Sequence, residues 1–358
     1  MKTLDPRRRQ QLIWLAVPVI VLTVLALSVQ ARHLSQQWSP EISGAVLPSW
    51  DVIVADIDRI HIRTGDGSFT LERRDTGWVM PERDDYPIRQ ERLAELDAYL
   101  RSLAFDRALT ARRDRLARLG LAELGEDNSG LLIRFEQADG AVLDSWMLGR
   151  ELGNRLYLRR PDTPQAYAAT PTQDGMSQPA IAQAGDWLEL DFLELGRTRI
   201  ARTEIYPETG PPYVLERASR TSRNFSLREP RGWSPITAGA PDGPGSALGR
   251  IRFRDVRSAE RMRGAVVGRH ISETFDGLRV DMTLIAQGET RWALLRAEAL
   301  SDDARAQADE LNATLSGWAY LVSDFSLDRL LRPLADFADP TTPTEIPDET
   351  QPDNNSGQ

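Results

Sequence analysis

The longest uninterrupted apolar pattern in the chain comes first. Leu12 to Val29 runs for eighteen residues without a charge, behind Lys2, Arg7, Arg8 and Arg9. As a helix the run reaches roughly 27 Å, close to the ~30 Å hydrocarbon core of a bilayer. A helix satisfies its own backbone polar groups, so it can cross lipid, and it tolerates Pro18 there. The pattern predicts a transmembrane anchor over 12–30, with Leu12, Trp14, Val19, Leu22, Leu25 and Val29 in lipid and a stub, 1–11, on the cytoplasmic side with the basic cluster. The rest of the chain is then extracytoplasmic, single-pass at the inner membrane. Val29-Gln30-Ala31 also suits a signal peptidase cutting after Ala31, so a cleaved leader stays open beside a retained anchor.

Beyond a connector over 31–50, the periodicity changes. Val52-Ile53-Val54, Ile57 to Ile62 and Phe69 to Arg73 repeat at period two around Gly65-Asp66-Gly67, and Gly77-Trp78-Val79 follows, which predicts an antiparallel meander with one wet face. Asp85 as cap, Pro87 in the first turn and a stripe of Ile88, Leu93, Leu96, Leu100 and Leu103 predict a helix. Strands are expected over 131–135 and 142–148 around Asp139-Gly140, then over 155–158 and 165–169. The order then recurs: Ile200–Tyr206 answers Ile57–Ile62, Tyr213–Arg217 answers Phe69–Arg73, and Gly232-Trp233 answers Gly77-Trp78. The hairpin 278–285/289–297 answers the one at Asp139-Gly140. Pro241–Gly249 reads as a loose loop, Ser301 as the cap of a second helix with Ala304, Ala308, Leu311 and Leu315 inward, 318–322 as a final strand, and 327–337 as a short amphipathic helix. The predicted class is α+β, two related antiparallel-sheet-plus-helix units (51–195 and 196–338) behind one transmembrane helix. A proline-rich acidic tail, 339–358, has too little to bury to fold.

Composition removes several chemistries. The chain of 358 residues has no cysteine, which excludes disulfides, thiolate catalysis and a cysteine-linked lipid. Lys2 is its only lysine, so a phosphate-cradling or Schiff-base lysine cannot occur outside the stub. The net charge is −9; the first ten residues carry +3, leaving −12 beyond them, a poor balance for nucleic acid. His33, His61 and His270 are too scattered for a zinc spacing. His61 alternates with Ile60 and Ile62 and is read as a solvated strand residue. Asp56-x-Asp58 and Asp84-Asp85 are the densest carboxylate pairs, read as a strand start and a helix cap. No catalytic constellation, metal set or cofactor motif emerges, and a non-enzyme is expected. The surface candidate is an arginine-rich stretch, Arg107, Arg112, Arg113, Arg115 and Arg118, with Leu109, Leu116 and Leu119 between them. Arg112, Arg113, Arg115 and Arg118 are the expected contacts for anionic headgroups or an acidic partner.

The I-x-x-I-x-I strand, the L-E-R strand and G-W (Ile57 to Trp78), the Leu-striped helix (Pro87 to Leu103), the L-G-L step (Leu119 to Leu121), a strand ending in L-G (Leu148-Gly149) and an R-L-Y-L strand (Arg155 to Leu158) together resemble the domain of unknown function 4340 family over roughly residues 50–335. The resemblance implies a membrane anchor, an exported α+β region and, for members encoded beside ABC-type exporters, an accessory envelope subunit. It brings no catalytic residues. The expected function is a membrane-anchored extracytoplasmic interaction module whose partners are the bilayer, through its helix, and membrane transport proteins. The alternative is an envelope hydrolase or glycan-binding protein using carboxylates.

Overall fold

The computed structural model describes residues 42–341. The predicted anchor with Leu12, Trp14, Val19, Leu22, Leu25 and Val29, His33, most of the connector and residues 342–358 lie outside the described residues. Among the described residues no helix is long and apolar enough to cross a membrane. The fold is mixed α+β, antiparallel sheets with few helices, in two compact units. One comprises the described residues up to Arg73 together with Gln90–Ala182. The other comprises Arg74–Arg89 together with the residues from Gln183 onward. The division thus differs from a simple cut at 195/196: a sixteen-residue segment, 74–89, leaves the first stretch of chain and belongs with the second unit.

The first unit is built on strands β1 (Arg59–Arg63) and β2 (Ser68–Arg74). After β3 (Gly77–Met80) and β4 (Tyr86–Pro87), which lie in the 74–89 segment, come β5 (Leu103–Ala108), β6 (Leu131–Glu136), β7 (Val142–Leu152), β8 (Arg155–Arg159) and β9 (Ala166–Pro171). Within the unit the hydrogen-bonded order is β2-β1-β6-β7-β8-β9-β5. Ile60 faces Leu71 and Phe135, and Ile62 faces Phe69 and Ile133; all six are buried. Alternation therefore places one face in the core and leaves Arg59, His61 and Arg63 on the other. Val52-Ile53-Val54, expected as extended, falls in helical turns instead: α1 (Trp50–Ile53) followed by a 3₁₀ turn. Trp50 turns inward, donates to Asp97 Oδ1 at 2.8 Å and stands edge-on to Phe135 at 4.9 Å, while Val52 stays exposed.

The first long helix, α2, starts at Gln90 and ends at Ser102. Asp85 does not cap it. Asp84 and Asp85 both have φ near +60°, so no helix can begin there, and Tyr86-Pro87 is a strand. Leu96, Tyr99 and Leu100 form its buried stripe, whereas Leu103 opens β5. The outer edge of β5 is covered by the chain that precedes α1. Val46 N–H donates to Leu103 O, Phe105 N–H donates to Gly44 O, both at 2.9 Å, and Ala45 bridges Ala104 antiparallel.

In the second unit the strands are β10 (Ile200–Tyr206), β11 (Tyr213–Glu216), β12 (Ser226–Glu229), β13 (Trp233–Pro235), β14 (Phe253–Ser258), β15 (Val266–Thr274), β16 (Leu278–Gln287), β17 (Thr290–Ala299), β18 (Trp318–Val322) and β19 (Ala338–Pro340). Its large sheet runs β12-β11-β10-β15-β16-β17-β18-β14, and β13 pairs separately with β19. Strand for strand, β11-β10-β15-β16-β17-β18-β14 repeats the order of the first unit's seven strands. Two expected correspondences move. Trp233 opens β13, outside the large sheet, so it does not answer Trp78. The hairpin β16/β17 occupies the place of β7/β8, because β15, a strand without a clean period, fills the place of β6.

Other expectations change for local reasons. The 241–249 segment is no loose loop: α4, after the four-residue α3 (Arg113–Leu116), is Asp242–Gly245, and a 3₁₀ turn follows it. Asp242 Oδ1 accepts from Phe225 N–H at 2.9 Å, and the Phe225 ring takes the space a Cβ would need at Gly245. Helix α5 (Arg305–Leu315) has the predicted inward face of Ala308, Leu311 and Leu315, but the Ser301 hydroxyl donates to Asp276 O at 2.7 Å instead of capping it. The last helix, α6, spans Asp324–Leu330, earlier than expected, and β19 follows β18, so residues 339 and 340 are strand rather than tail. The edge strand β14 is met by the 74–89 segment: Asp84 Oδ2 accepts from Ser258 N–H at 2.9 Å and pairs with Arg261 at 2.5 Å, and Arg83 pairs with Asp255.

Candidate functional site

The arginine-rich stretch begins where β5 ends. Leu109 N–H donates to Ala166 O and Ala166 N–H to Thr110 O, so sheet pairing continues two residues past Ala108 before the chain leaves the sheet. Arg113–Leu116 then makes one helical turn (α3) and Ala117–Leu119 a 3₁₀ turn, closed by Gly120 at φ 71°. Leu116 is buried with Leu121, Met147 and Ala166, and Leu109 and Leu119 pack on the same cluster. The spacing of these leucines pins one side of the turn and leaves Arg107, Arg112, Arg113, Arg115 and Arg118 exposed on the other. The arrangement is a ridge of guanidinium groups on a fixed apolar base.

The ridge is partly neutralised from within. Arg112 holds Asp114 through two hydrogen bonds of 3.0 and 2.7 Å. That contact pushes the Asp114 carboxyl below its usual range and raises Arg112. Arg113 reaches Glu123 at 3.3 Å. The same Glu123 oxygen lies 3.1 Å from Arg159 Nη2. Arg159 is wholly buried; its Nε donates to Leu121 O and its Nη1 to the carbonyls of Arg160, Pro161 and Thr163. Glu123 therefore ties the exposed ridge to a guanidinium inside the unit. Neither Glu123 nor Arg159 was singled out from the sequence. The available signal was Arg159 itself, an arginine straight after the buried Leu158 in a strand.

The L-G-L and L-G motifs support the ridge from below. A Cβ on Gly149 would strike Leu119 O and Leu121 Cγ, one on Gly130 would strike the carbonyls of Leu148 and Gly120, and one on Gly120 would meet Arg150. Three backbones meet here with no room for side chains, which is the physical reason for glycine at these positions.

Other polar clusters lie elsewhere. On the wet face of the first sheet His61 Nδ1 is 3.0 Å from Thr70 Oγ1 and its Nε2 is 3.0 Å from Glu136 Oε2. The ring is half-buried in a cross-strand ladder rather than freely solvated, and a 220 Å³ depression adjoins it, lined also by Arg63 and Arg134. In the second unit His270 is fully buried on β15. Its Nδ1 lies 2.9 Å from Leu330 O, which can only accept, so Nδ1 carries the proton and Nε2 accepts from Ser272 Oγ at 3.3 Å. Burial pushes its pKa down to about 4. A 720 Å³ hollow beside α6 is lined by charges of both signs, among them Glu208, Arg291, Asp328 and Arg332. Of the acidic pairs, Asp58 Oδ2 accepts from Ala138 N–H at 2.8 Å and Asp84 holds β14 as described. Among the described residues no group of three or more histidine and carboxylate side chains is placed to hold a metal.

The geometry defines a class: an antiparallel α+β protein whose most distinctive surface is an exposed arginine ridge. Residues 78–247 match the family model described as a domain of unknown function, DUF4340, which supports the family resemblance seen in the sequence. The match contains the ridge, the L-G-L and L-G glycines and the R-L-Y-L strand. No curated protein and no solved structure matches the chain.

Proposed function

We propose that the protein is a single-pass, membrane-anchored extracytoplasmic module that works by contact, as an accessory subunit of an ABC-type export assembly, and not as a catalyst. The observation that carries this reading is the way the chain after the hydrophobic run enters the fold. Gly44–Val46 pairs with the edge of β5, and Val46, Leu47 and Trp50 are buried in the first unit. From Val29 to Gly44 the chain can stretch at most about 50 Å. A helix at 12–30 therefore holds the first unit close to the bilayer by a short tether welded to its core. The resemblance to the DUF4340 family supports the reading, since it implies an anchor and an exported region.

The test is topology and company. Full-length protein with a carboxyl-terminal tag is expected to stay with membranes after alkaline washing, to lose the tag to protease added to intact spheroplasts, and to co-purify with the permease and ATPase of an exporter. A tag protected inside spheroplasts, or a chain released by the wash, overturns the reading.

A further inference from the structure

Taking the tethered reading as its basis, we propose that the arginine ridge is the face with which the first unit docks on anionic phospholipid headgroups of the bilayer that holds its own anchor. Direction is the first argument. Ala45 pairs antiparallel with Ala104, with Gly44 beside Phe105 and Val46 beside Leu103. Followed back from Val46 to Gly44, the chain therefore runs along β5 in the direction of Arg107 and Ala108. That is the end of the strand from which the ridge springs. Gly44 stands on the level of Leu156, and the chain before this pairing is directed toward the ridge end of the sheet, away from the opposite end where β7 turns into β8 at Leu152 and Arg155.

Chemistry is the second argument. Between residues 107 and 123 five arginines stand against two carboxylates, Asp114 and Glu123, in a chain whose net charge is −9. Arg115 and Arg118 are exposed. A guanidinium presents paired donors that match phosphate oxygens, and near an anionic surface each arginine shifts occupancy by about fivefold. Leu109, Leu116 and Leu119 hold the turn, so little order is lost on docking. Tethering to the same surface raises the effective concentration of headgroups, so a modest intrinsic attraction is enough.

The absence of cysteine makes the test direct. Ala111→Cys puts a single thiol on the exposed ridge, and Leu152→Cys puts one at the far end of the sheet. Each full-length protein, labelled with an environment-sensitive dye, is reconstituted into vesicles of phosphatidylcholine alone or with phosphatidylglycerol, each containing a headgroup-level quencher. The expected result is severalfold stronger quenching at position 111 in the anionic vesicles, none of that dependence at position 152, and its loss in high salt and in the Arg112→Gln/Arg113→Gln/Arg115→Gln/Arg118→Gln variant. The Arg115→Gln/Arg118→Gln variant leaves the contacts to Asp114 and Glu123 intact and is expected to lose part of the effect. Equal quenching in both vesicles overturns the proposal. So does crosslinking of position 111 to an acidic membrane protein in native membranes without any dependence on lipid charge. Flotation separates the two readings. A chain that floats with neutral vesicles but shows no charge dependence loses the ridge proposal alone. One that floats only with anionic vesicles loses the anchor and keeps the ridge, and one that floats with neither loses both.

Discussion

The two units use one strand order and protect it differently. In the first, the sheet edge at β5 is closed by backbone: Gly44–Val46 adds hydrogen bonds along it. In the second, the equivalent edge at β14 is met by side chains, Asp84 on Ser258 N–H and Arg261, and Arg83 on Asp255. Their histidines differ in the same spirit. His61 lies on the wet face of β1, hydrogen-bonded across strands. His270 lies on the inner face of β15 under α6, with Ser272, and with Thr203 beyond it. The helices enter at different points too: α2 precedes the edge strand in the first unit, whereas α5 joins β17 to β18 in the second. One sheet topology thus accepts different connections and opposite placements of polar groups, provided that an unpaired edge is covered.

Five substitutions break or sharpen this comparison. The largest effect is expected from Gly130→Ala in the first unit and Gly264→Ala in the second. Their new Cβ atoms would strike the carbonyls of Leu148 and Ala286, backbone that cannot step aside. Each is expected to cost at least about 4 kcal/mol. Hydrogen exchange should show deprotection confined to the mutated unit; loss of protection in both would mean that the units do not hold separately.

His270 comes next. Its pKa of about 4 in the fold lies below the ordinary histidine value, so on acidification the unfolded chain takes up the proton first. Stability is full above the ordinary pKa near 6.5, falls as pH drops toward 4, and changes no further from this group below that. The loss approaches about 3 kcal/mol. Urea midpoints measured at neutral and acid pH should fall by less in His270→Gln than in the parent; an unchanged pH dependence in the variant removes His270 as the cause.

Asp84→Asn is expected to cost about 1–2 kcal/mol, since it keeps a side chain that tolerates positive φ but weakens the bond to Ser258 and loses the charge on Arg261. Raised salt should narrow the gap between parent and variant if the ion pair is what counts. The smallest effect belongs to His61→Gln, at about 1 kcal/mol or less, because both of its contacts are half-open to water. A loss above that of Asp84→Asn would show the wet-face ladder to be more than a local bond.

Much of the architecture could be read from residues in order. Alternation around Ile60 and Ile62 placed β1, its faces and His61 on the outer one. The leucine spacing in Arg107–Leu119 separated a packed side from an exposed arginine side, and the face of α5 followed from Ala308, Leu311 and Leu315. What failed did so where long-range partners outweigh local preference. Pro87 looked like a helix start, but two left-handed aspartates precede it, and the first, Asp84, is held by Ser258 and Arg261, more than 170 residues away. The 241–249 segment looked loose because glycine and proline usually signal a turn, yet Phe225 packs on Gly245 and orders it. Strand β15 escaped notice because His270, Ser272 and Thr274 are polar residues buried on its inner face, which erases the period-two signal.

The sequence by itself determined the α+β class, the family resemblance, the extended and helical stretches with strong periods, and the chemistry of the ridge, because these depend on residue type and on neighbours within a few positions. Only the tertiary structure decided that segment 74–89 serves the second unit, that Gly44–Val46 closes the edge of β5, that Glu123 joins the ridge to the buried Arg159, and that His270 is dry. Each of these depends on which distant backbone or charged group a residue meets, and hydrogen bonds and ion pairs between such partners leave no periodic trace along the chain.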